Sequence, residues 1–169
     1  AGIATLDTTD AIMQTKAFAQ AYQQIGTTFT SNSQMIQTKR KEINDINAQL
    51  DTNKDKNLTQ EELDAAIKAK NPLLTQLETK EKEIAQLQQP IVTAQAFAVE
   101  SIADRYAAAQ QQVVTQKKIS MILAPDAFIW APEAVDVTKA VTTALDAAAP
   151  SVGITPPANW QPKQSTGPL

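Results

Sequence analysis

Ile36, Ile43, Ile46 and Leu50 stand seven, three and four residues apart, and after a polar interval Leu77, Ile84, Leu87 and Ile91 repeat that spacing. Apolar residues on a seven-residue repeat form a narrow stripe along one side of a helix, which buries itself only against a second helix. The stretches carrying the stripes, residues 33–50 and 72–89, have equal length. Laid antiparallel they match in register over about 27 Å, at 1.5 Å per residue. The pattern therefore predicts a long helical hairpin with its tip near residues 51–71.

Composition agrees with thin seams. Hydrophobic residues make up 43% of the chain but aromatic ones only 5%. Such stripes cover a helix-helix contact without filling a thick core, so a chain of 169 residues built this way is expected to associate with copies of itself.

The flanks read differently. Residues 3–7 form a short strand-like run, and Thr8, Thr9 and Asp10 are good helix caps. Ile12, Met13, Ala17, Phe18, Ala21, Tyr22 and Ile25 then recur on one helical face. Gly26 and the polar residues up to 33 predict a bend. Pro72 suits the first turn of the returning arm, and Pro90 predicts a kink, since proline removes one backbone hydrogen bond. Beyond it Ala94, Phe97, Ala98, Ile102, Tyr106 and Val113 continue an apolar stripe. Residues 119–123 and 127–130 read as two strands joined by a turn at Pro125 and Asp126. A last amphipathic helix is expected over 136–148. Residues 150–169 carry five prolines and little apolar periodicity, which predicts a flexible tail, with Trp160 a candidate anchor.

The expected fold class is thus mainly α with a small β body: a long antiparallel hairpin plus a three-stranded segment. One domain spans 1–149, with body 1–25 and 95–149, a hairpin over 26–94, and the tail over 150–169.

Charge and residue types exclude much. The net charge is −3 and the pI about 5.0, which leaves no basic field for nucleic acid. The chain has no cysteine and no histidine, removing disulfides, thiolate chemistry and the commonest acid-base catalyst. Carboxylates mostly sit among lysines on solvated helix faces, as Glu78, Glu81 and Glu83 do beside Lys80 and Lys82. Four glycines form no phosphate-cradling loop. No catalytic site and no cofactor are expected. No run reaches the roughly 18 apolar residues of a membrane span and none reads as a signal peptide, so stable membrane insertion is not expected and an exported protein would be present in mature form.

One motif is sharp. The tip reads DTNKDKNLTQEE, placing Asp51, Asn53, Asp55, Asn57, Thr59 and Glu62 at positions 1, 3, 5, 7, 9 and 12 of an EF-hand calcium loop, with Leu58 at the apolar eighth. Lys56 occupies the sixth position, where the sharp turn favours glycine, and a second, pairing loop is absent. Asp and Asn are also turn formers, and Thr59 with Glu62 makes a capping box for a short helix over 59–70. The turn reading is preferred, with a calcium-responsive binding module as the alternative.

The order of elements, and above all residues 119–145, ISMILAPDAFIWAPEAVDVTKAVTTAL, resembles the Skp/OmpH family of periplasmic chaperones; the opening GIATLDTTDAIM is similar as well. The resemblance implies a homotrimer whose strands form a β body, with three hairpin tentacles around a cavity. It implies that Ile3, Leu6, Met121, Leu123, Phe128 and Trp130 hold that body together. It further implies an ATP-independent holdase for unfolded outer-membrane β-barrel proteins, with clients bound over a diffuse tentacle and cavity surface. The family's tentacles are typically basic, whereas residues 33–90 here carry nine Lys/Arg against ten Asp/Glu, a net of −1. Client binding is therefore expected to depend only weakly on salt. A passive coiled-coil spacer is the remaining alternative.

Overall fold

The heptad stripes, short strand runs and caps resolve into seven α-helices and two β-strands in a computed structural model that describes residues 2–163. The elements are β1 (Gly2–Thr5), α1 (Thr8–Met13), α2 (Lys16–Thr28), α3 (Thr30–Leu50), α4 (Gln60–Lys68), α5 (Pro72–Ala103), α6 (Tyr106–Lys117), β2 (Ile119–Leu123) and α7 (Thr138–Ala148). They divide into two compact units, Thr28–Val92 and the pair of segments Ala1–Thr27 and Thr93–Leu169.

The first unit is the hairpin. Lys39 pairs with Glu83, and Glu42 with Lys80 at 2.7 Å. Three residues forward on α3 are three residues back on α5, so the helices are antiparallel in the register their equal arms predict. Asn32 Nδ2 donates to the Leu87 carbonyl at 3.0 Å near the other end. Ile46, Leu50 and Ala66 are buried at the tip with Leu58, Leu73, Leu74 and Leu77 packed on them.

The second unit contains the sheet. β1 and β2 pair in parallel, with Ile3 opposite Met121, Ala4 opposite Ile122 and Thr5 opposite Leu123, and a register shift between Gly2 and Ile3. Parallel neighbours need a long crossover, here all of α1 to α6. The Thr5 carbonyl accepts from Val137 N at 2.9 Å, and Asp7 N donates to Thr138 Oγ1 at 3.1 Å, which ties the start of α7 to the end of β1. The core combines Ala4, Leu6, Ala11, Ala17, Ala109 and Ala144 with Ile102, Val113, Val141 and Leu145. Small side chains let helix axes approach closely, so few large residues are needed.

Several expectations are corrected. The segment 127–130 is not a strand. Pro125–Ala127 forms a single 3-10 turn, and although Phe128 has extended angles (φ −147, ψ 156) the segment pairs with no strand among the described residues. An apolar run reports that a surface wants cover. It does not report that the same chain supplies a ladder partner. Among the described residues the sheet is accordingly two-stranded.

The expected helix from Ala11 to Ile25 is interrupted at Gln14 and Thr15. The buried Thr15 hydroxyl donates to the Ile12 carbonyl at 2.7 Å and accepts from Phe18 N at 3.2 Å, so one side chain closes α1 and opens α2. The bend expected from Gly26 onward falls at Phe29, and α2 runs through Gly26. α5 continues beyond Pro90, as the apolar stripe that follows it predicts, and the helix breaks at Asp104 and Arg105 before Val113.

Within the expected tail, residues 150–163 make contacts with the body unit, and residues 164–169 lie outside the described residues. Ile154 is buried, Trp160 meets Phe97 edge-on with ring centroids 5.4 Å apart, and Lys163 Nζ reaches Asp104 Oδ1 at 2.7 Å. Composition signalled disorder, but three spaced anchors suffice to lay a proline-rich strap on a helix.

Candidate functional site

The chain has no histidine and no cysteine, and its exposed apolar side chains and polar tip carry the candidate residues.

The surface begins with β-strand alternation. Ile3 and its cross-strand partner Met121 lie on the outer face and are 57% and 53% exposed. Farther along the same unit Ile129 is wholly exposed and Trp130 is 78% exposed. Together with Met13, at 53%, these are the large apolar side chains that the body unit leaves most exposed. Leu123 and Phe128 are half-buried. Leu6 departs from the expected set: it is buried in the chain's own core, because it falls on the inner side where β1 leads to α1. Ile129 joins the exposed group although the resemblance did not single it out, and its place between Phe128 and Trp130 was the available signal.

In the hairpin unit the stripe is unevenly covered. Ile36, Ile46 and Leu50 of α3 are buried, whereas Ile43 of α3 and Leu77, Ile84, Leu87 and Ile91 of α5 are only half-buried. Two helices seal one flank of such a stripe and leave the other flank open. Val92 and Met35 are also exposed in this unit.

The tip loop is more ordered than a generic turn. Thr59 caps α4 through Glu62 N, and Glu62 Oε2 accepts from Thr59 N at 3.0 Å, completing the capping box that the sequence predicts. Glu62 Oε1 simultaneously accepts from Thr52 N at 3.0 Å and Asn53 N at 3.3 Å. The Thr59 amide foremost, with those of Asn53 and Thr52 and the Thr52 hydroxyl, holds the Glu62 carboxyl below its ordinary range against a smaller opposing effect of desolvation. Asp55 N donates to Asn53 Oδ1 at 3.1 Å and Asn57 N to Asp55 Oδ1 at 2.9 Å. Asp51 is 7% exposed, its Oδ2 accepts from Lys56 N at 2.7 Å, and its Oδ1 is buried with no hydrogen-bond partner. Among the described residues no three His, Cys, Asp or Glu side chains are gathered so as to hold a metal ion.

Along the hairpin seam, the Glu42 carboxyl lies below its ordinary range chiefly through its hydrogen bond from Lys80. No helix among the described residues is long and apolar enough to cross a membrane.

The described residues thus form a helical-hairpin unit and a body unit with a two-stranded parallel sheet, and each unit exposes large apolar side chains. The chain belongs to the OmpH-like outer membrane protein family, whose model matches residues 2–145. Its fold is similar to the crystal structure of a proposed outer membrane chaperone (OmpH-like) from Caulobacter crescentus CB15, with a TM-score of 0.57 and 20% sequence identity over 89% of this chain and 87% of that one. No curated protein matches the sequence.

Proposed function

We propose that this protein is an ATP-independent holdase that acts in the periplasm on unfolded outer-membrane β-barrel proteins. The observation that carries the reading is the pairing of an unsealed apolar stripe on α5 with a chain that belongs to the OmpH-like family. An unfolded barrel protein exposes alternating apolar residues, and many weak contacts along a stripe hold it without imposing one bound conformation. Such binding asks for no catalytic group and no nucleotide.

In this reading the domain spans 1–149, the hairpin is the tentacle, and three copies form the working assembly. Ile3, Met121, Ile129 and Trp130 supply apolar surface to the joint body, with Leu123 and Phe128 at its edge. The open edge of Phe128 and its neighbours fits strand pairing with another copy, since an extended segment without a ladder in its own chain finds one in a partner. The near-neutral hairpin, net −1 over residues 33–90, favours capture through apolar contact rather than long-range attraction.

The test dilutes a urea-unfolded outer-membrane barrel protein into buffer without ATP or metal and follows light scattering as this protein is titrated in. Suppression is expected to saturate near three chains per client and to change little with added salt. Unchanged scattering at several-fold excess would leave a passive coiled-coil spacer as the better account.

A further inference from the structure

A helix, a 12-position loop and a second helix occupy the hairpin tip: α3 ends at Leu50, the loop spacing runs over 51–62, and α4 starts at Gln60 inside it. Within that loop Asp51 is the anomaly. It is more than nine-tenths buried, and one of its carboxylate oxygens makes no hydrogen bond. A buried charged oxygen without a partner is expensive, and native chains keep few of them. Its companion oxygen accepts from Lys56 N, which places the carboxylate inside the turn rather than on its outer surface.

The sequence objection to a cation loop also meets a structural answer. Lys56, at the position that favours glycine, has φ 69, and Lys54 has φ 58. Both lie in the left-handed region that side chains other than glycine avoid. The chain thus makes the sharp turn at the sixth position without the residue that makes it easily, and it does so with the Lys56 amide directed onto Asp51.

The remaining oxygens of the motif are held within the loop. Asn53 Oδ1 and both oxygens of Asp55 are engaged with groups of the loop itself, and Glu62 folds back from the first turn of α4 onto the amides of Thr52 and Asn53. Calcium takes six to eight such oxygens with tolerant geometry, whereas magnesium demands a small octahedron.

We infer that loop 51–62 binds one calcium ion, with the buried, unpaired Asp51 Oδ1 as its anchoring ligand. Asn53, Asp55, the Asn57 carbonyl and Glu62 complete the oxygen set. The carboxylates now satisfied by loop amides exchange those bonds for the cation, so binding gathers Asp55 and Glu62 toward Asp51 and stiffens the tip. Lys54 and Lys56 offset part of the charge of Asp51, Asp55, Glu61 and Glu62, which sets the affinity in the weak range, with Kd on the order of 10⁻⁴–10⁻³ M. The inference is independent of the holdase reading.

The experiment is calorimetric titration of the full chain with calcium chloride, repeated with magnesium chloride, and then on Asp51→Asn and Asp55→Asn. Asp55 is exposed, so its variant keeps the fold, and circular dichroism verifies both. Saturable binding of one calcium per chain is expected, at least tenfold tighter than magnesium and weakened at least tenfold by either substitution. No saturable heat up to 10 mM calcium, equal affinity for magnesium, or binding unchanged in the folded Asp55→Asn variant would overturn the assignment.

Discussion

Glu62 accepts hydrogen bonds from Thr52, Asn53 and Thr59 at once, and this ties the start of the tip loop to the start of α4. Because its folded-state pKa lies below the ordinary 4.5, its contribution to tip stability is full above that value and disappears as pH falls through the lower, folded-state one. Amide chemical shifts of Thr52, Asn53 and Thr59 should titrate together with a midpoint below 4.5; a midpoint at or above it would separate Glu62 from these amides. Removing the cap is the complementary change. Thr59→Ala should destabilise the tip by about 1 kcal/mol, read as a lower denaturation midpoint in urea. The capping box was fully legible from Thr59 and Glu62, because both partners lie within one turn of helix. The second half of Glu62's role was not, since nothing local signals that its other oxygen reaches back ten positions to Thr52.

At the scale of elements, local periodicity and tertiary cover diverge. The hairpin was readable because a seven-residue repeat specifies both the helix and the kind of partner it needs, and Lys39, Glu83, Glu42 and Lys80 then set its register. The body was readable only in pieces. Thr15 breaks a helix that its neighbours' periodicity would continue, and residues 127–130 resemble a strand yet have no ladder among the described residues. In the strap from Pro150 to Lys163 proline content signals flexibility, and of its contact residues Ile154, Trp160 and Lys163 only Trp160 stands out by residue type. Two substitutions separate deep core from strap. Ile102 is fully buried, so Ile102→Ala should cost about 2–5 kcal/mol by the lost side chain and the cavity left behind. Trp160→Ala removes an edge-on ring pair and should cost about 1 kcal/mol. Thermal melts that gave the two variants equal losses would contradict this ordering.

For the whole molecule, the informative surface is the one that its own fold leaves open. Met121 and Trp130 are exposed, so charging them should not disturb the single-chain core. If they belong to the joint body of three copies, Met121→Glu with Trp130→Glu should lower the mass seen in sedimentation velocity toward that of one 18.3 kDa chain while helical content is kept. An unchanged mass would move the contact between copies elsewhere. Client protection should fall in the same variant, since an apolar stripe on one hairpin gives far fewer simultaneous contacts than three do.

The parallel sheet also sets an order of events. Gly2–Thr5 pairs with a strand that begins at Ile119, so the two strands meet only across more than a hundred intervening residues. Contacts of such long sequence separation form slowly, whereas the hairpin joins residues that are neighbours through its tip. Residues 28–92 are then expected to gain structure first, and the opening strand spends the longest time unpaired. The rate at which the sheet forms is therefore expected to follow the time Gly2–Thr5 takes to find Ile119–Leu123.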